Sequence, residues 1–240
     1  MAASMTDRLG QFLNGLNDKY EPHVRQHLAK VYMMLCGTAA ITATGSMLQM
    51  KNIIDLGMLA AIGSLLLVLG LHFYRDNGKN YYNRVAMLYA FGFCSGQTMG
   101  PLLQYVVSVN PSIIVTALVG TVVTFASLSV AALLAERGQF LFLGGILVSV
   151  INTMTLLSIL NMFFKSMFVQ MGQLYIGVFV MAAFVLFDTQ NIIEKVRIGN
   201  RDVVQHSLDL FFDVLSMFRR LLIILTQKEE RRREDQRKRR

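Results

Sequence analysis

The chain has 240 residues, 54% of them hydrophobic and 16% charged, with a mean hydropathy of +0.47 and a net charge of +8. Soluble domains carry about 25% charged residues, whereas the apolar excess here falls in blocks of about 20 residues, enough to cross a hydrocarbon core about 30 Å thick. Composition therefore excludes a soluble globular enzyme and leaves no second core-forming domain. The basic residues sit beside the apolar blocks and at the C-terminal end, which suits lipid headgroups or proteins and excludes nucleic acid as the partner.

In chain order, the stretch to Leu28 is polar and holds acidic residues with no apolar run, so it does not read as a cleavable signal peptide. Within it, Leu9, Phe12, Leu13, Leu16 and Tyr20 share one helical face, which predicts a short amphipathic helix over Thr6–Tyr20 on the membrane surface. Six spans are predicted over 29–50, 53–74, 85–107, 112–135, 139–162 and 168–193. The organisation is then a cytoplasmic N-terminal segment (1–28), an all-α integral membrane helical bundle (29–225) and a basic tail (226–240). Lys51-Asn52 joins the first two spans and Asn110-Pro111 the third and fourth, turns so short that the helices they join must run antiparallel. Gly92, Gly96 and Gly100 form a small-residue ridge, and Gly145 with Ser149 predicts a second seam. Asn152, Asn161, Thr153 and Thr155 are expected to hydrogen-bond between helices. Cys36 and Cys94 are expected to be buried free thiols that pack as small apolar side chains.

With the N-terminus inside, the inner segments hold Arg8, Lys19, Arg25, Lys30, Arg75, Lys79, Arg84, Arg137, Lys195, Arg197 and Arg201, and the outer loops only Lys51 and Lys165. That bias fixes the orientation of the first six spans. The seventh segment, 203–225, carries Asp209, Asp213, Arg219 and Arg220 among fifteen apolar residues. Each central charge costs about 2.5–3.5 kcal/mol and each large apolar residue returns about 0.3–0.6 kcal/mol, a sum near break-even at best. This helix must pack within the bundle, either spanning or re-entrant. The charge bias favours a re-entrant path that keeps the basic residues Arg231, Arg232, Arg233, Arg237, Lys238, Arg239 and Arg240 in the cytosol as a lipid or partner patch.

Ionisable groups within spans are the strongest functional signal of the chain. Asp188 lies deep in the sixth span. Asp209 and Asp213 are four apart on one face of the last helix, and Arg220 falls on nearly the same stripe, about 20° away, while Arg219 points elsewhere. Two carboxylates brought together at low dielectric cannot both ionise cheaply, so such a pair shares a proton and can act as a proton sensor, as a transient Ca²⁺ site at Asp188 and Asp213, or as structural glue. His206, one turn before Asp209, is expected to be an interfacial side chain. No cofactor is implied.

The runs Gly92-Phe-Cys-Ser-Gly96, Met99-Gly-Pro-Leu102, Asn110-Pro-Ser-Ile113, Phe142-Leu-Gly-Gly-Ile-Leu147, Phe184-Val-Leu-Phe-Asp-Thr-Gln190, Leu208-Asp-Leu-Phe-Phe-Asp213 and Phe218-Arg-Arg-Leu221 resemble the transmembrane Bax inhibitor motif family from about Ala29 to Leu225. The resemblance implies a multi-pass membrane protein of the endoplasmic reticulum that suppresses cell death and leaks Ca²⁺ in a pH-dependent way, with partners among Bcl-2-type apoptosis regulators and an ER stress sensor kinase. It also implies that Asp188 and Asp213 are a pH-sensing latch, with Asp209 an additional acid and Arg75 the supporting arginine near the end of the second helix. Arg237-Lys-Arg-Arg240 resembles a dibasic retrieval signal.

Proteolysis is poorly supported. Phe187 precedes Asp188 and Phe212 precedes Asp213, where an aspartyl intramembrane protease needs glycine, and Gly92-Phe-Cys-Ser-Gly96 is one residue too long for a rhomboid motif. The expectation is a protein that is not an enzyme. The alternative to a leak is a non-conducting scaffold for apoptosis regulators and stress sensors.

Overall fold

The computed structural model describes residues 19–239 and holds seven α-helices over that range. They are α1 (Pro22–Met50), α2 (Met58–Phe73), α3 (Tyr81–Val109), α4 (Ser112–Leu134), α5 (Leu143–Phe164), α6 (Met167–Arg197) and α7 (Val203–Lys238). The chain is the all-α membrane bundle expected, with α1, α4, α5 and α6 long and apolar enough to cross a membrane by length and composition. Apart from Lys19 and Tyr20, the amphipathic segment predicted over Thr6–Tyr20 lies outside the described residues.

Boundaries depart from the sequence reading where local chemistry decides them. α1 starts at Pro22 rather than at 29, because proline suits the first helical turn and Val24, His27 and Leu28 are buried. The link to α2 runs through residue 57 rather than ending at Asn52, with Gly57 at φ +49° turning the chain into Met58. Cys36 and Cys94 are both free, but Cys36 is exposed rather than buried, on the outward face of α1.

α7 occupies the middle of the bundle. It packs along α1, α3, α4 and α6, while α2 lies on the outside of α3 and α5 on the outside of α6. α1 and α3 run parallel and close: Gly92 faces Thr38, Gly96 faces Thr42 and Gly100 faces Gln49, and a Cβ on Gly96 would overlap the Thr42 carbonyl oxygen. The Gly145 seam is not formed, since nothing lies near that position; Gly144 instead takes the Phe187 ring. α5 has one buried residue, Leu147. Its polar side chains mostly stay local: Thr153 Oγ1 donates to Ser149 O (2.9 Å) and Asn161 Oδ1 accepts from Ser166 N (2.8 Å). Its links to α6 are instead made by Ser158 and Met154 O with Gln173 (both 3.0 Å).

Two devices fix the helices around the start of α7. Gln190 Nε2 donates to Ala132 O (3.3 Å) and Glu136 O (3.0 Å) while its Oε1 accepts from Phe140 N (2.7 Å), so one side chain pins the α4–α5 link to α6. Asp202 caps α7 by accepting from Gln205 N (3.0 Å) and also accepts from Arg84 Nη1 (2.6 Å), whose side chain is only 1% exposed.

α7 is one unbroken helix of 36 residues, about 54 Å at 1.5 Å per residue. Neither glycine nor proline interrupts the tail, and Glu229 pairs with Arg232 (3.9 Å) and Arg233 (3.2 Å) one turn on. Thr226 is buried, and Tyr105 Oη donates to the Glu230 carboxylate near the Asn110 turn. Lys19 lies at the opposite end, where its Nζ donates to the Leu133, Leu134 and Ala135 carbonyls at the end of α4 (3.1, 2.6 and 2.5 Å). Lys19 and the tail therefore lie at opposite ends of the bundle.

Three measurements check this packing. Gly96→Leu forces α1 and α3 apart and lowers stability by about 3 kcal/mol, read by thermal unfolding in detergent. Arg84→Ala and Asp202→Ala each destabilise by about 3 kcal/mol, and the double variant loses clearly less than the sum, which a double-mutant cycle measures. In sealed vesicles, single cysteines at Lys79 and Arg237, in a chain lacking Cys36 and Cys94, react with an impermeant thiol reagent from opposite sides.

Candidate functional site

α6 and α7 lie antiparallel, so the sequence order Asp188 to Gln173 on α6 is matched by Asp213 to Arg220 on α7. Asp188 on α6 and Asp213 on α7 lie beside each other across the seam and line one cavity with Asn191. A hydrogen bond between two carboxyl groups requires one proton between them. Asp213 Oδ2 is buried with no donor directed at it. Asp209, one turn earlier, accepts from Gln205 Nε2 at 2.9 Å.

The three acids line a cavity of about 430 Å³ with Asn191, Lys195 and Ser216, walled by Ile151, Phe184 and Phe212. α5 rests on α6 without packing along α7, so the wall on that side is thin. Two further cavities adjoin this one. Towards the Lys19 end, a space of about 740 Å³ shares Lys195 and Asp209 and holds Arg75, Arg84, Arg201 and Asp202. Towards the tail end, a space of about 190 Å³ shares Ile151 and Met181 and holds Arg220, Gln173 and Ser158. Three polar cavities thus follow one another along the α6–α7 seam.

The structure brings together Asp188, Asp213 and Asp209 and leaves the other candidates apart from them. Arg75 lines the neighbouring cavity beside Asp209 rather than the Asp188–Asp213 pair. Arg220 lies about 10 Å along α7 from Asp213 and donates through Nη1 to Gln173 O at 3.2 Å; Arg219 is exposed, as its helical angle implies. His206 is not interfacial. It is buried, with Nδ1 at 2.8 Å from His27 Nε2, one ring nitrogen donating to the other. Of the tail residues, Arg231, Arg232 and Arg239 line a cavity of about 660 Å³ with Asn110, Ser112 and Thr116, and Arg233, Arg237 and Lys238 continue the same helix. Arg240 lies outside the described residues.

Sequence reasoning missed Arg84 and His27. Arg84 was counted as an inner-face charge, although Asn80 and the helix start at Tyr81 place it a full turn inside α3. His27 belongs to the polar N-terminal stretch by sequence; the signal that could have found it is Pro22, which opens α1 and puts His27 on one helical stripe with Val24, Leu28 and Val31. Among the described residues no group of three or more His, Cys, Asp or Glu side chains is placed to hold a metal ion. The two facing carboxyls fall short of the six to eight oxygens a resident Ca²⁺ takes, so a divalent ion would be cargo here.

Comparison with known proteins converges on one family. A family model described as "Inhibitor of apoptosis-promoting Bax1" matches residues 24–230. Bax inhibitor 1 of Drosophila melanogaster is 71% identical over 218 residues, 91% of this chain and 89% of that protein. Bax inhibitor 1 of Homo sapiens is 40% identical over 202 residues, covering 84% and 85%, and that of Arabidopsis thaliana 34% identical over 204 residues, covering 84% and 81%. The motifs, the multi-pass helical bundle and these matches agree: the chain belongs to the Bax inhibitor family of membrane proteins.

Proposed function

We propose that this apoptosis-inhibitor membrane protein is a pH-sensitive Ca²⁺ leak of the endoplasmic reticulum, gated by Asp188 and Asp213. The observation that carries the reading is the facing of these two carboxyls across the α6–α7 seam, inside the middle one of three consecutive polar cavities. With one proton between them the carboxyls tie α7 to α6. When that proton leaves, two negative charges at low dielectric repel and favour a looser packing of the seam. Asp209 adds a third negative charge on the same side, and Lys195, between the first two cavities, opposes it. Limiting the Ca²⁺ load of the organelle then protects against death signalling.

The Lys/Arg bias supports a cytosolic Lys19 end. Because the tail lies at the other end of the bundle, this reading puts it in the lumen, and a retrieval signal that works only from the cytosol is not carried forward. Bcl-2-type regulators and an ER stress sensor kinase are the partners to test by capture.

The test is Ca²⁺ flux through the purified protein in liposomes from pH 5.5 to 8. Wild type gives a flux that changes with pH, and Asp213→Asn, which keeps a hydrogen bond to Asp188 at every pH, gives a flux that is flat across the range. Absence of flux in well-folded wild type would reject the leak and leave a non-conducting scaffold as the function.

A further inference from the structure

The tail-end cavity holds a charge that the proton-sensing pair does not explain. Arg220 sits on the inner side of α7, half-buried, with its guanidinium against Gly177 of α6. Gly177 is buried, and a Cβ there would run into the guanidinium, so the close approach of α6 is fitted to this side chain. Its Nη1 donates to a backbone carbonyl, Gln173 O. Arg220 takes part in none of the ion pairs among the described residues. The groups lining its cavity are neutral: Thr155, Ser158, Gln173 and the apolar Ile151, Met154 and Met181. An uncompensated cation therefore faces the smallest of the three cavities, while three acidic side chains line the middle one.

From this placement we propose that Arg220 is the charge barrier of the cation path, setting its discrimination between monovalent and divalent ions. The inference rests on the leak reading above. A cation leaving the aspartate cavity past Ile151 and Met181 meets a fixed positive charge in a space of about 190 Å³. Coulomb repulsion scales with the valence of the ion. Removing the charge therefore accelerates a divalent ion by the square of the factor gained by a monovalent one. A structural role, in which Arg220 only ties α7 to Gln173, carries no such valence dependence.

The experiment compares K⁺ and Ca²⁺ fluxes in liposomes for wild type, Arg220→Lys and Arg220→Gln at one pH. Arg220→Lys keeps the wild-type ratio. Arg220→Gln raises K⁺ flux by about threefold and Ca²⁺ flux by about tenfold, the latter corresponding to a barrier lower by about 1.4 kcal/mol. In case the glutamine variant fails to fold, Arg220→Cys in a chain lacking Cys36 and Cys94 is purified, reconstituted and treated with a thiol reagent that adds either an ammonium or a methyl group. The ammonium adduct restores the low Ca²⁺ flux and the methyl adduct does not. Equal K⁺ and Ca²⁺ factors, or adducts that behave alike, would overturn the barrier while leaving a pH-dependent wild-type flux, and hence the leak, intact. No flux from wild type or any variant would overturn both.

Discussion

A membrane supplies no water to solvate charge, and the whole arrangement follows from what that does to α7. With Asp209, Asp213, Arg219 and Arg220 among its apolar residues, this helix cannot face hydrocarbon along its length. Enclosure by α1, α3, α4 and α6 is the solution. Three of the four contribute a polar partner: α1 offers His27 and the Val31 carbonyl to His206 and Ser207, α3 offers Arg84 to Asp202, and α6 offers Asp188 to Asp213 and the Gln173 carbonyl to Arg220. The apolar surface exposed on α2 and α5 is then the lipid-facing exterior.

Enclosing α7 demands that the other helices come close. Gly92, Gly96 and Gly100 let α3 lie close against α1, leaving that face narrow. The opposite face is built differently. α5 attaches through α6, with Gly144 on Phe187 and Ser158 on Gln173, and leaves the seam beside α7 to polar cavities. One half of the molecule is packed for stability and the other is left roomy, and the carboxylate pair sits where the two meet.

Much of this was legible in the chain. Hydropathy blocks identify seven helical segments, the Asn110-Pro111 turn separates α3 from α4 where expected, and the spacing of Asp188, Asp209 and Asp213 brings all three to one cavity. What escaped the sequence depends on how helices align in space. A helical wheel puts Arg220 close in angle to Asp213 but says nothing of the two turns of height between them, which hand Arg220 to Gln173 instead. His206 reads as interfacial until His27, 179 positions away in the chain, is brought against it. The path of α7 depends on the same alignment. Charge arithmetic weighs the tail against lipid and loops, whereas the helix is held by four neighbours that an insertion scale does not contain.

The position of α7 also bears on how the molecule is made. The helix at the centre is the last of the seven described helices in chain order, so α1 to α6 enter the bilayer before their common partner exists. Until then Arg84 has no Asp202 and Asp188 has no Asp213, and the space intended for α7 is open to lipid. Biogenesis of such a bundle requires the early helices to be sheltered, by the insertion machinery or by one another, until translation reaches residue 238. A ribosome that stops between the sixth and seventh helices releases a shell without a core, a substrate for membrane quality control rather than a shortened functional protein.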